Sequence, residues 1–369
     1  MTMNVPFLDL KAQFKALENE IVPGLVEVAR NAQFILGPPV GEFEKEFAAF
    51  LGVPHLVGVG SGTDAVALAL KAAGVEAGDE VILPTNTFIA TAEGVSMIGA
   101  KPVLADVDEK TQLLDPAWIE KACTPKTKAV IPVHLFGCPC DMDPILAQAK
   151  AKGLVVVEDA AQAHGASYRQ RRCGSFGQAA AFSFYPGKNL GAYGEGGAVA
   201  CATEDGAKRV KRLRDHGSEK KYEHSEIGFN SRLDTFQAVV LRAKLPHLDR
   251  WNALRRERAA RYTEKLKGIP QVQTPYVPED REAIFHLYVI QAERRDELMA
   301  FLRERGVGSL IHYPTPIHLQ KAYVHLGYKE GDFPVAERVT KRIVSLPMFP
   351  ELTDEMVDYV AQQIREFYR

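Results

Sequence analysis

One lysine in this chain stands where a nucleophile would. The stretch Phe182-Ser183-Phe184-Tyr185-Pro186-Gly187-Lys188-Asn189-Leu190-Gly191 carries an apolar run, residues 179–185, into a Pro-Gly turn. The pattern predicts a buried strand followed by a turn that sets Lys188 at the strand's edge, facing a cleft. Gly191, Gly194, Gly196 and Gly197 crowd in behind it, a density that lets the backbone fold tightly around a bound group before a further strand at 197–201. A lysine held in a partly apolar pocket loses some preference for its charged form, and can then attack a carbonyl to form an imine. The plain alternative is a solvated surface lysine, the default for this residue type.

The elements that must position Lys188 alternate along the first half of the chain. Strands are predicted at 55–59, 80–83, 102–105, 129–133 and 154–157, with helices at 63–73, 87–98 and 145–151 between them, and such alternation indicates a mostly parallel sheet covered on both faces. Two helices, within 7–36 and at 40–51, precede it as an arm, separated by Gly37-Pro38-Pro39. In parallel sheets the site lies beyond the carboxyl ends of the strands. That rule selects Ser61-Gly62-Thr63, Thr85-Asn86-Thr87-Phe88, His134, Glu158-Asp159 and Tyr185 to Lys188.

Each of these residues can be matched to a task. Strand, Ser61-Gly62-Thr63 turn and helix start form an anion-binding arrangement, because free amides and the helix dipole point at whatever sits there; the alternative is that Ser61 or Thr63 only caps the helix. Asp159 follows the apolar Leu154-Val155-Val156-Val157, so its carboxylate needs a cationic or donor partner. A protonated pyridine nitrogen would serve, and the alternative is again a helix cap. Gln162, three residues on, would share that face and donate to a neighbouring oxygen.

Composition narrows the class. The chain has 369 residues, 46% of them hydrophobic, enough for a large and a small domain, here drawn at 1–250 and 251–369. A formal charge of -2 argues against a nucleic-acid binder. No apolar run reaches the roughly 18 residues of a membrane span, and the N-terminus lacks a signal-peptide core, so a cytoplasmic protein is expected. Five cysteines fit reduced thiols better than a disulfide frame. Cys138-Pro139-Cys140 near His134 lacks zinc-knuckle spacing, and no metal is expected. Beyond residue 234 the chain reads as one long helix or two broken near Pro246, whose arginines (Arg242, Arg250, Arg255, Arg256, Arg258, Arg261) suggest a solvated basic face more than a nucleotide clamp. A strand at 285–291 and helices at 294–305, 335–343 and 354–367 then predict a smaller α+β domain.

A Schiff-base lysine, an acid for a ring nitrogen, a phosphate cup and an aromatic to stack on a ring are together what pyridoxal phosphate (PLP) requires. Lys188, Asp159, the Ser61-Gly62-Thr63 turn and Phe88 supply one candidate for each.

The sequence also resembles a known family. Ser61-Gly62-Thr63-Asp64-Ala65, Glu158-Asp159-Ala160-Ala161-Gln162-Ala163-His164-Gly165, the stretch from Ser183 to Gly197, Gly228-Phe229-Asn230-Ser231-Arg232-Leu233-Asp234, His312-Tyr313-Pro314 and His318-Leu319-Gln320 are similar to signature blocks of the DegT-type (DegT/StrS) nucleotide-sugar aminotransferases. The resemblance implies a fold-type-I PLP enzyme, a homodimer with active sites at the subunit interface, and transfer of an amino group from glutamate to a keto sugar on a nucleoside diphosphate. It gives Lys188 the imine to the cofactor, Asp159 the pyridinium contact and Gln162 the phenolic oxygen. Phe88 would stack on the ring, Ser183 with Gly62 and Thr63 would bind the phosphate, and Asn230 would reach that phosphate from the partner subunit.

Relatives that dehydrate their substrate carry a histidine at the place of Lys188, whereas this chain keeps the lysine. The flanks Tyr185 to Gly197 are most similar to members acting on 3-keto sugars, so the expected acceptor is a dTDP-linked 3-keto-6-deoxyhexose, with a 4-keto sugar as the alternative. Tyr185, His164, His312 and Tyr313 are candidate substrate contacts. Two other classes share the same cofactor cradle: a PLP-dependent lyase using Cys138 or Cys173, and a non-catalytic PLP or sugar-nucleotide sensor.

Overall fold

The computed structural model of the chain describes residues 3–369. Its centre is a seven-stranded sheet of β1 (His55–Val59), β2 (Glu80–Pro84), β3 (Lys101–Ala105), β4 (Thr127–Val130), β5 (Val155–Asp159), β6 (Ala179–Ser183) and β7 (Gly197–Cys201). Their order across the sheet is β1-β7-β6-β5-β4-β2-β3. All run parallel except β7, which pairs antiparallel with both β1 and β6.

Alternate side chains of the central strands go to opposite faces, as a pleated strand requires. Ala179, Ala181, Val199 and Cys201 join a cluster with Val57, Leu68, Leu83 and Val156. Ala180, Phe182, Ala198 and Ala200 join another with Phe43, Phe47, Leu233 and Leu241. Both faces are therefore buried, which is why these strands read as unbroken apolar runs.

Helices α1 (Leu10–Asn31) and α2 (Pro38–Leu51) precede the sheet; prolines in the first turn start α2, and Gly52 at φ 72° ends it. Helices α3 (Gly62–Ala72) and α4 (Ile89–Met97) follow β1 and β2 directly, so their N-termini lie at the carboxyl edge of the sheet. The helix predicted beyond residue 234 is two, Thr235–Lys244 and Leu248–Leu266, joined by a 3-10 turn through Pro246.

A second sheet of β8 (Val272–Gln273), β9 (Tyr288–Ala292) and β10 (Ile343–Leu346) is antiparallel and packs with the helices Arg295–Glu304 and Asp354–Phe367. Ile343, expected at the end of a helix, begins β10 instead: the helix stops at Thr340, and Ile343 pairs with Gln291. The apolar clusters do not divide at residue 250. Val5 packs among the C-terminal residues through a parallel bridge to Val307, and Ile317, Tyr323 and Phe333 pack into the main sheet's cluster. The basic helix face is also not solvated throughout. Arg255 is buried and donates to the carbonyls of Phe285, His286 and Met348, while Arg258 and Arg261 bind Asp354 and Asp358, so these arginines tie the helix to the C-terminal segment. No helix among the described residues is long and apolar enough to cross a membrane.

Candidate active site

Asp159 ends β5 one strand away from Ser183, which ends β6; the register Asp159↔Ala181 puts Ser183 two residues further along the same edge. The chain then turns through Pro186-Gly187, and the Lys188 amide donates to the Tyr185 carbonyl (2.8 Å). Burial pushes the Lys188 amine down to about 8, against a smaller opposing pull from the Asp159 carboxylate. About a tenth of it is thus unprotonated at pH 7, against almost none for an ordinary lysine.

The Asp159 carboxylate is buried and held from two sides. Thr91 Oγ1 donates to Oδ2 (2.7 Å) and the Ala161 amide donates to Oδ1 (3.1 Å). Because the Thr91 proton goes to Asp159, the 3.0 Å contact with Thr87 must run from the Thr87 hydroxyl to Thr91. Behind Asp159, Glu158 accepts from the amides of Gly174, Phe176 and Gly177 and contacts His134 Nε2 (3.0 Å). The Cys140 amide donates to His134 Nδ1, so Nε2 carries the proton that goes to Glu158.

Ser61 caps α3 by accepting the Asp64 amide (3.1 Å), which leaves Gly62 and Thr63 as first-turn residues whose amides have no intrahelical acceptor. Ser61 is therefore the cap, and the two residues after it leave their amides free, a cup that an anion could enter. The cup is tight: a Cβ on Gly62 would lie 2.5 Å from Ser183 Cβ, and one on Gly197 would lie 2.3 Å from the Ser61 carbonyl oxygen. Only glycine permits that approach of α3 to the end of β6. A phosphate-bearing cofactor fits these residues, since free amides at a helix start, a buried acid and a desolvated amine meet along one edge of the sheet.

Gln162 accepts the Phe136 amide at Oε1 (2.6 Å), which directs its Nε2 to the Tyr313 hydroxyl (3.1 Å) and leaves its second N–H free for another acceptor. Tyr313 packs against Phe88 with ring centroids 5.1 Å apart, and burial raises its phenol above the ordinary range, with the Asp159 charge second. His312 Nδ1 bonds Ser345 Oγ (2.8 Å), its ring stacks on Phe7, and burial and the Lys188 charge push it down to about 4. Tyr185 and Phe88 are exposed. Asn230 is also exposed; its Oδ1 accepts from Arg232 (2.7 Å), and no hydrogen bond among the described residues links it to the Lys188 group of the same chain.

His164 is a correction to the expected substrate contacts. It is fully buried among Phe47, Phe182 and Phe184, with no hydrogen-bond partner for either ring nitrogen, and burial pushes it down to about 3. It offers no atom to a sugar and acts as a core aromatic.

The DegT/DnrJ/EryC1/StrS aminotransferase family model matches residues 15–365. The chain belongs to this family. As a member of the DegT/DnrJ/EryC1/StrS family it is an aminotransferase, on a fold-type-I framework. It is 50% identical to a Geobacillus stearothermophilus pleiotropic regulatory protein, over 100% of this chain and 99% of that one. Identity is 47% to the dTDP-3-amino-3,4,6-trideoxy-alpha-D-glucose transaminase of Streptomyces venezuelae (99% and 97% covered). It is also 47% to a UDP-N-acetyl-3-dehydro-alpha-D-glucosamine 3-aminotransferase of Acidithiobacillus ferrooxidans (99% and 99%). The crystal structure of S. venezuelae DesV in complex with a ketimine intermediate superposes with a TM-score of 0.97 at 47% identity, covering 100% of this chain and 99% of that one.

Sequence reasoning missed two residues that bond to Asp159 and to the residue after Lys188. Thr91 lies inside α4, and only its spacing of four residues from Thr87, which puts both hydroxyls on one helix face, could have marked it. His286 sits just before β9 and bonds Asn189, the residue after Lys188. No local pattern joins positions nearly a hundred residues apart.

Proposed function

We propose that this aminotransferase uses PLP to move an amino group from glutamate to C3 of a dTDP-linked 3-keto-6-deoxyhexose, giving a 3-amino sugar. The observation that carries the cofactor assignment is the pairing of a desolvated Lys188 amine with the buried Asp159 carboxylate at adjoining strand ends. The sugar assignment is supported by the flanks of Lys188 and by the relatives whose names specify 3-amino or 3-dehydro sugars.

When bound, PLP supplies an electron sink for the carbon that loses its proton. The residues of the chain do the rest. Asp159, which forms no salt bridge among the described residues, would favour a protonated ring nitrogen, and Thr91 keeps that carboxylate aimed. The Gly62 and Thr63 amides with Ser183 would hold the phosphate, Phe88 would stack on the ring, and the free N–H of Gln162 would reach the phenolic oxygen. With its amine near 8, Lys188 can take a proton from one carbon and return it to another at neutral pH. Tyr185, His312 and Tyr313 line the sugar side.

The site is shared in a homodimer on this reading. Asn230, exposed and braced by Arg232, reaches the partner's phosphate, and the exposed Phe34, Ile35 and Leu36 are covered by the second copy. A lyase is disfavoured by the thiols: burial pushes Cys138 up to about 12 and Cys173 well above its ordinary range, so neither is a ready nucleophile. A sensor that only binds would need no lysine desolvated beside an acid. The test is borohydride reduction of the PLP-loaded protein followed by peptide mapping, together with conversion of glutamate to 2-oxoglutarate. Attachment at Lys188 and a glutamate-dependent half-reaction support the proposal; attachment elsewhere refutes it.

A further inference from the structure

A directed relay of side chains ties the residue after Lys188 to the segment entering β9. Asn252 Nδ2 donates to the His164 carbonyl (2.8 Å), and Asn189 Nδ2 donates to Asn252 Oδ1 (2.8 Å) and to the Ile284 carbonyl (3.3 Å). Asn189 Oδ1 then faces His286 Nδ1 at 3.2 Å. Both asparagines are almost fully buried, so water cannot satisfy a flipped amide.

The relay has one consistent direction. A backbone carbonyl only accepts, which orients Asn252; Asn252 then offers its oxygen to Asn189, which orients Asn189 in turn. His286 meets an amide oxygen, and so its Nδ1 must carry the proton. In the neutral ring, Nε2 is left as an acceptor.

Protonation of the ring is opposed from several directions. Burial is the largest cause, followed by the charges of Lys188 and Arg255 and by His312 and His164, and together these hold His286 well below the ordinary histidine range.

We propose that His286 is a positioning residue of the aminotransferase site, held as the neutral Nδ1–H tautomer so that it anchors Asn189, and through it the Lys188 backbone, without placing a second positive charge near the lysine amine. The proposal rests on Lys188 being the reacting lysine. Its polarity makes it testable: glutamine at 286 can still donate to Asn189 Oδ1, whereas a glutamate carboxylate cannot, and alanine removes the contact.

Two measurements on the full chain decide it. Long-range 1H–15N correlation spectra of the cofactor-free protein, labelled at histidine, report the tautomer directly. The expected result is Nδ1–H with an unprotonated Nε2 that stays neutral from about pH 8 to about pH 5. In Asn189→Asp, where a carboxylate faces the ring, His286 should become doubly protonated in that range. In steady-state assays of the holoenzyme, His286→Ala and His286→Glu should lose about tenfold or more in kcat with the KM for nucleotide sugar changed less than about threefold, and His286→Gln should recover most of the loss. An Nε2–H tautomer or a charged ring in the wild type, or equal kcat for the Gln and Glu variants, overturns the proposal. A wild type without transaminase activity would count against the functional reading instead, and the tautomer would still decide the proposal.

Discussion

Thr91 Oγ1 donates a 2.7 Å hydrogen bond to Asp159 Oδ2, and it does so from inside the α4 helix, whose first turn also carries the residues that follow Phe88. One helix thereby braces Asp159 and begins next to Phe88, the two residues that would meet the ring nitrogen and the ring face of PLP. Replacing Thr91 with valine keeps the shape and leaves a buried carboxylate oxygen short of a donor. PLP affinity, followed by absorbance titration, should fall about tenfold, and Thr91→Ser should restore it. Wild-type affinity in Thr91→Val would show that Asp159 needs no such support.

Gly62 meets Ser183 at a distance that excludes a side chain. Gly62→Ala should displace the start of α3 and weaken PLP binding by about tenfold or more, since the phosphate loses its amide donors. The clash is with Ser183 Cβ and Oγ. Ser183→Gly removes a phosphate donor along with the clash, so the comparison is made within each background: Gly62→Ala should cost less PLP affinity in Ser183→Gly than in the wild type. An equal or larger cost in the Ser183→Gly background contradicts the steric account.

A desolvated lysine also leaves a mark on stability. In the cofactor-free protein the Lys188 amine lies at about 8, against 10.5 for the unburied group. Between those values the unfolded chain binds more protons than the folded one, so stability rises with pH across this window and the full cost is present below it. Lys188→Met, which removes the charge, should make the cofactor-free protein more stable than wild type at pH 7 by roughly 2 kcal/mol, a figure discounted for the partial exposure of the side chain. The advantage should vanish near the upper end of the window. Urea denaturation at both pH values checks it; a less stable Met variant at pH 7 would contradict the desolvation argument.

His164 gives a prediction of opposite kind. Its unpartnered ring nitrogens lie among phenylalanines, so His164→Phe should leave the KM for nucleotide sugar within about twofold and should not lower the melting temperature, because the unmet desolvation cost of two polar atoms disappears. A selective rise in KM would restore it to the substrate side.

Much of this molecule was legible from its residues. Apolar runs marked the strands because both faces of the sheet are covered, and the C-terminal helix, with Thr353 capping and Val357, Val360 and Ile364 inward, has the expected bounds. Asp159 ends β5, Gln162 and Lys188 follow β5 and β6, and the Gly62-Thr63 turn follows β1, so all four lie toward the carboxyl edge of one sheet. What stayed hidden depends on distant pairing. An apolar run such as Gly197 to Cys201 does not state its direction, and β7 turned out reversed. Ile343 fits a helical spacing with Val339 until its pairing to Gln291 decides for a strand. Arg255 carries the sign of a surface arginine, and only the carbonyls of Phe285, His286 and Met348 reveal why it is buried.

Amination at C3 is distinguished from amination at C4 by a matched pair of acceptors. Purified holoenzyme is given dTDP-linked 3-keto- and 4-keto-6-deoxyhexoses separately, with glutamate as donor. Release of 2-oxoglutarate is followed, and the position of the new amine is read by NMR. The predicted result is faster turnover of the 3-keto sugar to a 3-amino product. Faster turnover of the 4-keto sugar, or an amine at C4, would contradict it.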